Sequence, residues 1–362
     1  MDWRVGIIDS SLPSWPGCDH WLVTVAERQV KALAYTDMVG ALTPGDRVAL
    51  NMSALERGLG TGGYAYIIAP LDQMPELPPS TGHIMKARYT PQQMMVQTVE
   101  EENSAHHEAL RSPIDMAGMP VVVADLHSAL PAVIAGVRIA KPGARIAYVM
   151  TDGASLPAAF SRQVSLLRDA EELVGTITCG QAFGGDLEAT SLANAIIASR
   201  LALEADVVIV SQGPGNVGTG THYGFSGLDT IWHLYQAQMV GARPIAVIRA
   251  SSADKRPRHF GLSHHCETIL NHLPHAVTVP YPAPTCLTAV DAPALARAYA
   301  ELTDALHRHR RHHLSPVDEP ELYQALAQYP VPMRTMGRDL TADPLSFLCA
   351  GAAGVVAGYD LA

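Results

Sequence analysis

The chain has 362 residues, more than one compact core ordinarily holds, so two domains are expected. Apolar residues make up 48% and charged residues 17%, a globular rather than a disordered composition. A formal net charge of −10 carries no basic footprint, which argues against a nucleic-acid partner.

No stretch reaches the ~18 apolar residues of a membrane helix, and the apolar run 347–356 is broken by glycine and small residues. The first residues lack the basic and apolar regions of a signal peptide. Five cysteines, odd in number and with no CxxC, argue against a disulfide framework or a zinc knuckle. Reduced thiols in a soluble, cytoplasmic protein are expected, with no membrane partner.

The first 112 residues read as a β-rich barrel or sandwich ending in a connecting helix. Gly6–Ile8, Trp21–Val25, Val30–Tyr35, Arg47–Leu50 and Tyr64–Ile68 are β-rich runs. A glycine loop, Gly58–Gly63, precedes the last of them, and Pro70–Pro79 reads as a connector. Residues 92–110 are helical in character, with Pro91 at the start.

From 113 onward the pattern changes. Apolar runs at Val121–Ala124, Arg145–Met150, Val174–Thr178, Val207–Val210, Pro244–Ile248 and Ala276–Val279 alternate with helical stretches. Those helices are expected at 129–140, 157–167, 187–203, 228–240, 261–273 and 292–309. Continuous apolar strands alternating with helices indicate a parallel sheet covered on both faces. The fold class is therefore α/β: a Rossmann-like, doubly wound, mainly parallel sheet over 113–362, preceded by a small β-barrel-like domain. The basic cluster His307–His313 reads as a solvated helix end.

In such sheets ligands bind where strands end and helices begin. Asp125 and His127 follow the first strand, and Asp152 the second. With His264 they are candidates for acid–base or metal chemistry, and a divalent metal is compatible with them. Each aspartate can equally cap the following helix. Asp186 reads first as a cap.

The fourth strand empties into a loop with six glycines between 213 and 227. It contains Gly213-x-Gly215-x-x-Gly218, but Pro214 removes an amide and the loop runs on to Gly227, unlike a tight dinucleotide turn. A broader cradle for an anionic group fits better. Its expected parts are Ser211, Gly213, Gly215, Gly218, Thr219, Gly220, Thr221 and Ser226. A glycine loop that only packs is the alternative.

The segment 251–265 combines cations, an acid and three histidines. Arg249, Ser251, Asp254, Arg256 and Arg258 there suit a phosphate or carboxylate, and a solvated surface loop is the bland alternative. Ser263 is the expected N-cap. His264 and His265 should diverge by about 100°, one toward the site and one toward solvent. Cys179 and Cys266 have no recognisable activating partner.

Taken together, Gly58-Leu-Gly-Thr-Gly-Gly-Tyr64, the glycine loop 213–227 and the run Arg249–His265 make the chain resemble the bacterial proteins grouped as domain of unknown function 3866. That resemblance implies no activity and no site residues. The residues themselves lead to a small-molecule enzyme acting on an anionic substrate. The alternative is a non-catalytic metabolite sensor or scaffold, and a homo-oligomer is compatible with either.

Overall fold

The computed structural model describes residues 1–77, 79–288, 290 and 294–361. They form two compact units, 1–96 with 159–165, and 97–158 with 166–362.

The first unit is a closed five-stranded barrel. Its strands are β1 (Trp3–Trp15), β2 (Cys18–Val25), β3 (Arg28–Tyr35), β4 (Arg47–Asn51) and β5 (Tyr64–Pro70). The order round the barrel is β1–β2–β3–β5–β4, antiparallel except for the β3–β5 pair. Alternating residues such as Ile8, Val23, Ala32, Val48, Leu50 and Ala65 fill the interior, as the strand period of two dictates. Residues 159–165 join this unit through Ala159, whose carbonyl accepts from Trp15 Nε1 at 2.7 Å.

The second unit is built on an eight-stranded sheet whose neighbours all run parallel. In chain order its strands are β6 (Pro120–Ala124), β7 (Ile146–Thr151), β8 (Gly175–Cys179), β9 (Leu187–Ala189), β10 (Val207–Gln212), β11 (Arg243–Ala246), β12 (Thr278–Pro282) and β13 (His313–Val317). Helices flank it: α1 (Leu130–Ala140), α3 (Leu192–Leu201), α4 (Thr230–Met239), α5 (His264–His272), α6 (Leu295–Leu306), α7 (Leu322–Gln328) and α8 (Pro344–Tyr359), while α2 (Arg162–Asp169) is divided between the units after Ser165. Every residue of β6, β7 and β10 is buried, which is why their sequences are apolar runs up to the polar residues Thr151, Ser211 and Gln212 at the carboxyl ends.

The strand order is β9–β8–β7–β10–β6–β11–β12–β13. From β6 the chain winds to one side through β7, β8 and β9. It then returns as β10 between β7 and β6, and continues on the far side of β6 as β11. The winding direction reverses at β10, β6 and β11, and a doubly wound sheet offers its ligand crevice outside the carboxyl ends of such strands.

Several expectations are corrected. Residues 92–110 are not one helix: Met94–Val96 is a strand, and only His107–Leu110 is helical. Val99 instead donates its N–H to Glu188 O at 2.8 Å, and its side chain is buried. The stretch 187–203 divides into the edge strand β9 and the helix α3, which Ser191 caps by accepting from Asn194 N–H. Asp186 caps no helix; it accepts from Thr176 N–H and Oγ1, both at 2.8 Å, and pairs with Arg168.

The basic cluster is not simply a solvated end. His309 and His312 are buried, and His312 Nδ1 accepts from Val277 N–H at 3.3 Å. Arg308 pairs with Glu267, and His313 begins β13. The expected helix 292–309 is seen as α6; its first residues, 292 and 293, lie outside the described residues, as do 289 and 291 before it. Pro78 of the proline-rich connector lies outside them too.

The helix α8 replaces what reads in sequence as an apolar tail. Thirteen of its sixteen residues are buried. It lies against α1 so closely that a Cβ on Gly354 would stand 1.9 Å from Val133 O, and one on Gly136 2.0 Å from Gly351 O. Among the described residues no helix is long and apolar enough to cross a membrane.

Candidate functional site

The carboxyl ends of β6, β10 and β11 converge on a cleft of ≈ 160 Å³ lined by Gly218, Gly220, Arg249, Arg258, His259 and His265, among others. Asp125 follows β6 and is buried. Its carbonyl accepts from Gln212 Nε2 at 3.1 Å and Asn216 Nδ2 at 2.8 Å, which ties the ends of β6 and β10 together. Its carboxylate Oδ2 is buried and without a hydrogen-bond partner, with Arg249 Nη1 3.9 Å away. Burial pushes the Asp125 carboxyl up from the ordinary range, and Arg249 opposes that.

After β11 the chain runs to Arg249, whose N–H donates to Cys266 Sγ at 2.9 Å and whose carbonyl accepts from Ser263 N–H at 2.9 Å. These two bonds fix Arg249 against the start of α5. Ser263 caps that helix, its Oγ accepting from His265 N–H at 3.3 Å. The same hydroxyl lies 2.8 Å from His259 Nδ1. The Cys266 thiol is pushed far up by burial, which removes it as a nucleophile at neutral pH.

His264 and His265 do not part toward site and solvent. Their ring centroids are 4.3 Å apart, and the His259 ring stands 4.9 Å from the first and 5.0 Å from the second. His265 is stacked flat on Phe225, with centroids 3.9 Å apart and planes 2° from parallel. Its Nδ1 is 3.4 Å from Arg249 Nη1, while its Nε2 and that of His264 are buried with no hydrogen-bond partner. Burial, reinforced by Arg249 and Arg256, pushes His259 down to about 4. Burial, His264 and Arg249 push His265 down to about 3, and His264 shifts the same way. All three rings are neutral at pH 7.

The cations divide into spent and available. Arg256 is held by Asp254 through bonds of 2.9 and 2.7 Å, which keeps that carboxyl far below the usual range. Arg338 bonds Asp343 at 2.9 Å and approaches Asp254 at 3.5 Å. Ser251 Oγ donates to Asp343 Oδ2 at 2.6 Å and accepts from Asp254 N–H. Ser251 and Asp254 are thus framework around the cleft rather than part of its lining. Among the described residues Arg258 has no carboxylate within 4.0 Å; it lies over Gly220, whose absent Cβ would meet its Cζ at 3.6 Å.

The expected hydroxyl cradle does not form. Ser211 Oγ lies 3.2 Å from Tyr148 OH inside the sheet unit. Thr219 Oγ1 and Thr221 Oγ1 bond each other and the Gly224 backbone, and Ser226 Oγ accepts from Gln212 Nε2 and Val217 N–H. These hydroxyls shape the loop, leaving Gly218 and Gly220 to face the cleft. Gly213 sits beneath, where a Cβ would stand 2.7 Å from Ser155 O, and Gly215 takes φ +114 beside Ala154.

His127 and Asp152 lie outside the cleft lining. His127 is buried, with Nδ1 3.0 Å from Tyr148 OH. Asp152 accepts from Gln181 N–H at 2.7 Å and acts electrostatically on Asp229 and His233. His259 was not singled out from sequence, and His265 was read only as the neighbour of His264, with one of the two expected to face solvent. Their spacing of six residues across a loop and a helix start matches no helical face, and the only signal is the histidine density of the segment.

Two histidines away from the cleft, the buried His127 and the half-buried His233, make stability pH-dependent. Burial pushes His127 and His233 down to about 4 each, against an ordinary 6.5. Below pH 6.5 the unfolded chain takes up protons that the folded chain refuses, so this stability is complete above 6.5 and is lost as pH falls toward 4. Urea unfolding at pH 7 and pH 5 should show a loss of about 1–2 kcal/mol per histidine. His127→Gln and His233→Gln should each flatten the dependence, and an unchanged slope would refute the assignment.

The chain belongs to the family described as protein of unknown function DUF3866, whose family model matches residues 31–354. No curated protein matches it.

Proposed function

We propose that this member of the family is a cytoplasmic small-molecule enzyme acting on a phosphate- or carboxylate-bearing substrate at the ends of β6, β10 and β11. One observation carries the reading: Arg249 and the uncommitted Arg258 border a cleft lined also by Asn216, the Asp254-paired Arg256 and the neutral imidazoles of His259 and His265, and the buried, unpartnered Asp125 Oδ2 lies 3.9 Å behind Arg249. Arg258 meets the anion first, over the open backbone at Gly220. Arg249, held by its backbone bonds to Cys266 and Ser263, gives the anion a fixed direction. Asp125 is the proton-transfer group, because burial brings its carboxyl nearer neutrality.

The test is a calorimetric titration with inorganic phosphate, pyrophosphate and citrate. At least one should bind, and Arg258→Ala should weaken it by about tenfold, the scale of one charge-assisted contact. Arg249→Met should weaken it further. Equal affinity in all three proteins would overturn the site. Phosphomonoesters and carboxylic acids that bind are then incubated with enzyme, and products are followed by mass spectrometry. Turnover lost in Asp125→Asn with binding retained supports an enzyme, whereas binding with no turnover in the unaltered protein supports the sensor.

A further inference from the structure

We propose that His259, His264 and His265 form a binding site for one divalent transition-metal ion of the zinc class. One ring nitrogen from each lies within 4.8 Å of the other two. Tetrahedral zinc with imidazole ligands needs nitrogens roughly 3.4 Å apart, so the rings need to close by at most about 1.4 Å. His264 is the least buried of the three and can move; the other two are held.

The holding contacts are those a ligand set requires. Metal-bound imidazoles are oriented through their other nitrogen or their ring face. His259 has Ser263 Oγ at 2.8 Å from Nδ1, which leaves its Nε2 free, and His265 is fixed by its stack on Phe225. The Nε2 atoms of His264 and His265 are buried without a partner, an arrangement that costs free energy unless a ligand takes them. Neutral rings are also the form that binds metal.

The nearby arginines do not forbid a cation. Arg256 and Arg338 are matched by Asp254 and Asp343, and Arg249 faces Asp125, so Arg258 alone adds uncompensated charge at the solvent edge. If His265 ligates through Nε2, its proton moves to Nδ1, 3.4 Å from Arg249 Nη1. Arg249 then turns its N–H toward Asp125 Oδ2, now 3.9 Å away and unpartnered. Metal binding would thereby complete an ion pair that the protein leaves loose. Three imidazoles with no thiolate or carboxylate select zinc, cobalt, nickel or copper over magnesium or calcium. They also leave a fourth position facing the cleft, the pattern of a catalytic rather than a structural ion.

The test uses full-length protein stripped with chelator and titrated with Co²⁺ under visible spectroscopy. One equivalent should bind, with the intense d–d bands of low-coordinate cobalt, and Zn²⁺ should abolish them. His264→Ala and His259→Ala should each lower affinity at least 100-fold, while Arg258→Ala, which removes a nearby positive charge, does not lower it. That last variant separates this site from the anion site, since it disables one and spares the other. Circular dichroism checks folding; if His259→Ala does not fold, His264→Ala and His265→Gln decide. No band at one equivalent, or affinity unaffected in the folded histidine variants, would overturn the assignment.

Discussion

Gly354→Ala should destabilise the sheet unit by about 3 kcal/mol or more, at the upper end of overpacking costs. The added Cβ would stand 1.9 Å from Val133 O, and the opposing atom is backbone in α1 rather than a flexible side-chain tip. Relief requires the two helices to separate, and α8 is buried along nearly its whole length, so separation opens a gap in the core. Gly136→Ala should behave similarly, because its Cβ would meet Gly351 O at 2.0 Å. Once one variant has parted the helices the second has less to displace, so the double variant should cost less than the sum. Gly143, with open space around it, is the control, and its alanine variant should be within about 0.5 kcal/mol of the parent. Urea unfolding measures all four. A Gly354→Ala loss below about 1 kcal/mol would mean that the helices are not held this closely.

Asp343→Ala is expected to cost about 3–5 kcal/mol, the scale for removing one member of a buried charged network. Asp343 has no exposed surface. Its two oxygens accept from Ser251 Oγ, Ser252 N–H, Ser252 Oγ and Arg338 Nε. Alanine leaves Arg338 Nε and three further donors without an acceptor, with only the 3.5 Å contact to Asp254 left to the guanidinium, and desolvation without compensation is the larger part of the loss. Ser251 also positions Asp254 and through it Arg256, so the damage should reach the cleft. Asp343→Asn, which keeps acceptor capacity on one oxygen, should lose less. Adding Arg338→Met to Asp343→Ala should restore part of the stability, because the unpaired charge goes with it. No such recovery would place the cost in backbone rearrangement instead.

The sheet was legible where strands are buried on both faces. Val121–Ala124, Ile146–Met150 and Val207–Val210 have no alternative use for so many consecutive β-branched and apolar residues. Legibility failed at edges and small residues. Leu187–Ala189 is a three-residue edge strand whose alanine-rich continuation has helical composition, so only the cap at Ser191 marks the change. Residues 92–99 carry apolar side chains at Met94, Met95, Val96 and Val99, a spacing that does not separate a strand from a helix.

At the site, Arg249, Arg258 and His264 could be read from position after a strand end, and the sheet topology brings two of them to the lining. Asp343 could not: it arrives from about ninety residues beyond Ser251, and in sequence it is only an aspartate before a proline. The hydroxyls of the glycine loop were read as ligand-facing because sequence gives a loop's composition and not the direction of its bonds.

The place of β6 in the sheet also sets a schedule for the nascent chain. Its two neighbours are β10 and β11, which begin roughly 80 and 120 residues later. At ~5–20 residues per second on the ribosome, this wholly apolar strand waits roughly 4–24 s for its partners to be synthesised. Through that interval its unpaired edges and apolar side chains are exposed to other chains. Chaperone capture during translation, rather than the stability of the finished fold, should therefore govern how much of this protein a cell can accumulate.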